Sequence, residues 1–350
     1  MKPKSEGSIN SAQVAKLIGV SRSTVSKVLN GYPNISGETR AKVLKAIKDH
    51  SYYPKLSGQL LTGKRSETIG LFFLTSSNFS NDVLVNYMLA RVIESAATYG
   101  YHILTYILQS ETDPRTLSTI KSVFHQGRID GGVFIGAKNR AHIIEELVTE
   151  GFPVGVFDQE PTNSVENGRR IVVSSNDARI AHEAIDYLTG LGHRKIAVTI
   201  GDIERYAGVQ KRDGFLSGLA DNGITIPPEW LIPCDFNTEA GWLSIRKFLQ
   251  ETKELPTAIA AINDHVAFGA LRAISEAGLR VPDDISLIGM DGHPLGEYSH
   301  PPLTTFRIDF EAMMLSLVSG VINLVESRET ATDFVFDGKL MERDSCRRLA

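Results

Sequence analysis

From Thr68 onward, short runs of β-branched and aromatic residues alternate with longer segments of helical period, and this alternation restricts the fold more than any other feature of the chain. The strand candidates are IGLFFL at 69–74, HILTYI at 102–107, GGVFI at 131–135, PVGVF at 153–157, RIVV at 170–173, KIAVTI at 195–200, AIAAI at 258–262, SLIGM at 286–290 and LTTF at 303–306. Helical segments near 83–99, 114–126, 141–150, 178–191, 209–222, 239–251 and 264–277 separate them. Strand, helix, strand repeated in this way predicts parallel sheets with helices on both faces. Nine or more strands divide more readily into two sheets than one. The expectation is a two-lobed α/β body with a ligand site at the carboxyl ends of the strands, between the lobes.

Residues 9–50 follow a different rule. Asn10 or Ser11 caps a first helix running to about Ile18, and Gly19-Val20 turns the chain before Ser21 caps a second helix through Leu29. The loop Asn30-Gly31-Tyr32-Pro33-Asn34 ends that helix. Ser36 then caps a third helix with Val43, Leu44 and Ile47 on one face. This is an all-α helix-turn-helix with a supporting helix. Residues 51–66, with Pro54, Gly58 and Gly63, read as a linker.

Charge divides the chain at the same place. The first 65 residues hold twelve Lys or Arg against three Asp or Glu, net +9, while the whole chain is −4, which leaves −13 on the remainder. A short basic end on an acidic bulk suits a polyanion such as nucleic acid. With 350 residues and 42% hydrophobic content, two or three packed units are expected. No apolar run reaches the ~18 residues of a membrane span, and MKPKSEGSIN carries no secretory pattern, so the expected location is the cytoplasm. Cys234 and Cys346 are the only cysteines, and both read as buried filler rather than a disulfide.

Enzyme motifs are weak or missing. His182-Glu183-Ala184-Ile185-Asp186 falls one residue short of a zinc-protease HExxH, and reads as the polar face of a helix. The chain has no GxGxxG, P-loop or GxSxG, and its nine His are scattered, His193 fitting a helix C-terminal turn. No metal, cofactor or catalytic set is expected.

A second helix whose first exposed turn carries Arg22 and Ser23, with Lys27 a turn later, is fit to enter a major groove, where Arg22 can fork onto a guanine. The segment from Ser11 to Pro54 resembles the DNA-binding head of the lactose-repressor (LacI/GalR) family of bacterial transcription regulators. The matching residues are Val14-Ala15, Gly19-Val20-Ser21, Thr24-Val25-Ser26, Val28-Leu29-Asn30, Thr39-Arg40 and Tyr53-Pro54. The resemblance implies that Arg22, Ser23 and Lys27 read bases, and that Ser21, Asn30, Asn34, Ser36 and Thr39 hold phosphates. It also implies a hinge helix at Gly58-Gln59-Leu60-Leu61, with Leu61 as a minor-groove wedge beside Gly58 and Gln59, which stand where relatives carry Ala and Arg.

The resemblance continues through Arg128-Ile129-Asp130-Gly131, Leu191 to Ala197, Asp213-Gly214-Phe215, Asn263-Asp264, Leu279 to Gly289, Asp291, Pro302 to Thr305 and Arg343-Asp344-Ser345. It implies a periplasmic-binding-protein-like pair of lobes around a small-molecule cleft. It also implies effector contacts at Asp158, Lys211, Phe236, Asn263 and Asp291, with Lys211 where relatives usually have Arg. The residues themselves leave other roles open. Phe236 also suits a core, and Asp158, Asn263 and Asp291 also suit helix caps.

The domain expectation is a helix-turn-helix DNA-binding domain at 1–53, a hinge at 54–66 and an effector-binding and dimerisation body at 67–350. Within the body, the N-subdomain takes about 67–163 plus 307–330 and the C-subdomain about 164–306 plus 331–350. The functional expectation is a homodimeric repressor binding a near-palindromic operator in double-stranded DNA under control of a small effector, a sugar or sugar derivative. A periplasmic-type solute-binding protein is the competing reading, and a sugar-processing enzyme would need a carboxylate pair or metal site that the sequence does not offer.

Overall fold

Asn10 opens the first helix, α1 (Ser11–Ile18), with a reciprocal cap. Its side chain accepts from the N–H of Ala12 and Gln13, both at 3.0 Å, while its own N–H donates to Gln13 Oε1 at 2.8 Å. Gly19 ends α1 at φ +68°, a left-handed conformation that glycine adopts without a steric penalty. Ser21 and Ser36 cap α2 (Arg22–Leu29) and α3 (Gly37–Asp49), each accepting an N–H from three residues on. Val14, Ala15, Val25, Val28, Val43 and Ala46 form the small core. Leu44, expected on the inner face of α3, is 51% exposed; Ala46 takes the buried position and Ile47 is partly buried.

The computed structural model describes residues 9–52, 65–74, 83–108, 113–161, 169–329 and 333–349. The expected hinge contacts at Gly58, Gln59 and Leu61 lie outside them. The chain forms two compact units, Met1–Ser66 and Glu67–Ala350.

The second unit contains two six-stranded sheets. β1 (Thr68–Leu74), β2 (His102–Leu108), β3 (Gly131–Ile135), β4 (Val154–Phe157), β5 (Arg170–Ser175) and β11 (Asp333–Phe336) form the first, all parallel in the order β11-β5-β4-β3-β1-β2. The second holds β6 (Ile196–Ile200), β7 (Leu231–Pro233), β8 (Ala258–Ala260), β9 (Ser286–Asp291), β10 (Thr304–Arg307) and β12 (Lys339–Met341). Its order is β12-β10-β9-β8-β6-β7, with only β12 antiparallel. Continuous burial along β1, β3 and β9 is what a parallel strand covered on both faces requires. Helices α4 (Val83–Thr98), α5 (Pro114–His125) and α6 (His142–Thr149) flank the first sheet, and α7 (Asp177–Gly190), α8 (Tyr206–Asp221), α9 (Thr238–Glu251) and α10 (Asp264–Glu276) the second.

Four features depart from expectation. The lobe boundary falls at Ser175–Asp177 rather than 163/164, because β5 hydrogen-bonds along β4 and so belongs to the first sheet. Residues 333–336 also return to the first lobe, since β11 pairs with β5. A further helix, α11 (Phe310–Val325), was not anticipated. It is apolar over most of its surface, with only a narrow open strip at Glu311 and Leu315 where an amphipathic helix has a broad polar face, because it is buried against α4 and strands β3 to β5. The short strands β7, β11 and β12 were likewise not foreseen.

Candidate functional site

In the head, Arg22, Ser23 and Lys27 are all exposed on α2, whose opposite face supplies Val25 and Val28 to the core. Arg22 Nε donates to Ser11 Oγ at 3.2 Å, so the guanidinium is held beside the start of α1. Ser21 stands at the N-terminus of α2, and Ser36 and Thr39 at that of α3, where the helix dipole favours an anion. Ser21 Oγ lies 2.7 Å from Ser23 Oγ and 2.8 Å from Thr24 Oγ1; Ser36 Oγ donates to Thr39 Oγ1 at 2.8 Å. Asn30 caps the C-terminus of α2 and Asn34 is exposed in the following loop. Arg40 donates to the Tyr32 carbonyl and ties that loop to α3.

In the body, a cavity of about 240 Å³ lies where the two sheets meet, and all five expected contact residues, Asp158, Lys211, Phe236, Asn263 and Asp291, line it. Strand ends supply the carboxylates. Asp158 follows β4 at φ +62° and Asp291 ends β9 at φ +118°, left-handed conformations that turn the chain as it leaves each sheet. Neither caps a helix: Asn176 stands at the N-cap of α7, the next helix after Asp158, and His293 caps the short helical turn after Asp291.

Lys211, on α8, is buried, with Nζ 3.4 Å from Asp291 Oδ1 and 3.8 Å from Asp177 Oδ1. Burial alone disfavours its charge, but Asp177, Asp291 and Asp158 outweigh that and hold the ammonium above its ordinary range. Burial pushes Asp158 up to about 7, with Asp177 adding repulsion while Lys211 and Arg205 oppose it. Asp158 Oδ1 is buried without a hydrogen-bond partner among the described residues. Burial also raises Asp177 and Asp291 against the pull of Lys211.

Asn263 lines the cavity and also carries structural bonds. Its Oδ1 accepts the Val266 N–H at 2.8 Å as the cap of α10, and its Nδ2 donates to the Phe236 carbonyl at 2.8 Å. It therefore positions Phe236. That half-buried ring packs on Gly201, where a Cβ would stand 2.5 Å from Phe236 Cζ, so any larger residue would displace the ring.

Residues 12–55 match the family model for bacterial regulatory proteins of the lacI family, and residues 185–346 match that of the periplasmic binding protein-like domain. The HTH-type transcriptional regulator DegA of Bacillus subtilis (strain 168) is 34% identical over 297 residues, covering 83% of this chain and 84% of DegA. The chain belongs to the lacI family. The HTH-type transcriptional repressor PurR of Histophilus somni (strain 129Pt) is 31% identical, over 84% of this chain and 85% of PurR. Among solved structures, the lac repressor dimer bound to operator and the anti-inducer ONPF aligns with TM-score 0.80 and 25% identity over 97% of this chain and 100% of that one. The CelR–cellobiose complex aligns with TM-score 0.72 and 23% identity, over 96% and 99%, a likeness of fold.

This lacI-family protein is thus a DNA-binding transcription regulator and not an enzyme, and the helix-turn-helix head and two parallel-sheet lobes are the family fold. Residues that the sequence reading missed complete the site. Asp177, the first residue of α7, and Arg205, just before α8, line the cavity, and Arg205 Nη1 donates to the Gly136 carbonyl of the first lobe at 2.9 Å. Asp264 is buried behind it, accepting from Thr305 Oγ1 and from the His293 N–H, each at 2.6 Å, and burial pushes it up to about 8. Only the adjacency of Asp264 to Asn263 hinted at its role. His193 serves structure alone: it is buried between Thr257 Oγ1 at 2.9 Å and the Arg347 carbonyl at 3.0 Å. His182 lies on the polar side of α7, 3.5 Å from Asp186, as a helix-face reading requires. Cys234 is buried, Cys346 is partly exposed and both are free.

Proposed function

We propose that the protein is a homodimeric repressor that binds a near-palindromic operator and changes its operator affinity when a sugar or sugar derivative occupies the cavity between the lobes. One observation carries this reading: a helix-turn-helix with Arg22, Ser23 and Lys27 on its open face belongs to the same chain as a cavity lined by all five expected contact residues. In this account Arg22, Ser23 and Lys27 read base edges. Ser21, Asn30, Asn34, Ser36 and Thr39 set the register on phosphates. Gly58, Gln59 and Leu61 meet the minor groove, so that 1–53 acts as the reading domain, 54–66 as the link and 67–350 as the sensor.

The lac repressor dimer on its operator and the CelR–cellobiose complex support the dimer, the DNA and the saccharide as partners here. No helix among the described residues is long and apolar enough to cross a membrane. The bacterial cytoplasm, at the nucleoid, is the proposed place of action. The mechanism is linkage: a ligand that prefers one lobe geometry shifts DNA affinity, and DNA shifts ligand affinity by the same factor. A gel shift of the full chain on the DNA upstream of its own coding region is the test. Retarded, salt-sensitive and sequence-selective binding is expected; no retardation at low salt, with or without sugars, overturns the reading.

A further inference from the structure

The cavity's charge is lopsided. Its described lining residues carry four carboxylates, Asp158, Asp177, Asp235 and Asp291, against two permanent cations, Arg205 and Lys211. The two cations do not balance these acids. Lys211 lies between Asp177 and Asp291, and Arg205 donates to the Gly136 carbonyl with its Nε 3.9 Å from Asp202. The sequences TSSNFSND at 75–82 and TNSVENG at 162–168, which follow β1 and precede β5, contain no Lys or Arg.

Resting on the reading that this cleft takes a saccharide effector, we infer that the effector is uncharged, and that uronates and sugar phosphates are excluded by the surplus of carboxylates. A hydroxyl donates to Asp158 Oδ1, which has no partner among the described residues, and a further hydroxyl has Asp291 within the same wall. A ligand carboxylate or phosphate offers only acceptors there. It also enters the field of carboxylates that outnumber the lining cations, with Lys211 already held between two of them. A lysine at 211 strengthens the exclusion: a compact ammonium clasped by two aspartates has no second edge to present to an incoming anion, as a guanidinium fork has.

The test is titration calorimetry of the full chain at pH 8 against matched sets: glucose, galactose and mannose, each beside its uronate, its 6-phosphate and its uncharged uronamide. The expected result is a neutral hexose that binds, a uronate and a phosphate about tenfold weaker or worse, and a uronamide that regains most of the loss. A uronate or phosphate that binds as tightly as its parent overturns the inference. A uronamide rejected as strongly as the uronate also overturns it, since shape and not charge then decides. Binding by no member of any set, with operator binding intact, overturns the saccharide reading beneath it, and so separates the two failures.

Discussion

Lys211 Nζ lies 3.4 Å from Asp291 Oδ1, joining the middle of α8 to the carboxyl end of β9 inside the cavity wall. Asp177 completes the pair from the start of α7. Removing the lysine leaves two buried carboxylates facing one another. Lys211→Met is expected to destabilise the body by about 3–5 kcal/mol at pH 8, and by much less at pH 5, where the orphaned carboxylates can take up protons. Urea unfolding of the variant at the two pH values checks this; an equal loss at both contradicts the charge argument.

The pH dependence of the unliganded body has a definite sign. Asp158 and Asp264 are pushed up to about 7 and about 8, so the folded state binds more protons than the unfolded chain above about pH 4. Their contribution to stability is complete below the unfolded value and is lost as pH rises through 7 to 8. Asp158→Asn removes one of these groups, and asparagine tolerates the left-handed backbone at φ +62°. The variant is expected to lose about 2 kcal/mol less than the parent between pH 5.5 and 8, while losing ligand affinity. Parallel stability curves for the two proteins contradict this.

For the head, Arg22→Ala is expected to weaken operator binding by about 1–3 kcal/mol while leaving binding to unrelated DNA almost unchanged, because a forked contact to one base is lost and the phosphate contacts stay. Fluorescence anisotropy on operator and scrambled duplexes measures both. Equal losses on the two would remove Arg22 from the base-reading set.

Ser36 combines two tasks that substitution can separate. Its side chain caps α3 and, in the proposed function, meets a phosphate. Ser36→Asp keeps the cap, so the head's stability should stay within about 0.5 kcal/mol of the parent, yet it sets a negative charge against DNA. Ser36→Ala instead costs about 1 kcal/mol of stability. A thermal melt beside a DNA titration distinguishes them: unimpaired DNA binding by Ser36→Asp argues against a phosphate contact.

Much of this architecture was legible in the chain because its signals are local. The caps at Asn10, Ser21 and Ser36, the turn at Gly19 and the strand runs from 69–74 to 303–306 each declare themselves within a few residues. What escaped depends on the fold. α11 is apolar over most of its surface and leaves only a narrow open strip at Glu311 and Leu315, and β11 is a short strand whose place is set by pairing with β5, more than 150 residues earlier. The cleft residues follow the same division. Asp158 and Asp291 were visible as strand-end acids, whereas Asp177, Arg205 and Asp264 acquire meaning only when Lys211, Gly136 and Thr305 are brought against them. Asn263, an expected ligand contact, lines the cavity, and its polar atoms also hold α10 and Phe236, which only the fold reveals.

The central claim is that ligand in the cavity and operator at the head are thermodynamically linked. Its most direct measurement is the operator dissociation constant of the full chain, at fixed salt, without and with a saturating neutral saccharide shown by calorimetry to bind. The account predicts a change of at least about fivefold, with the same factor appearing in saccharide affinity when operator is present. An operator affinity that stays the same while the cavity is occupied would contradict it.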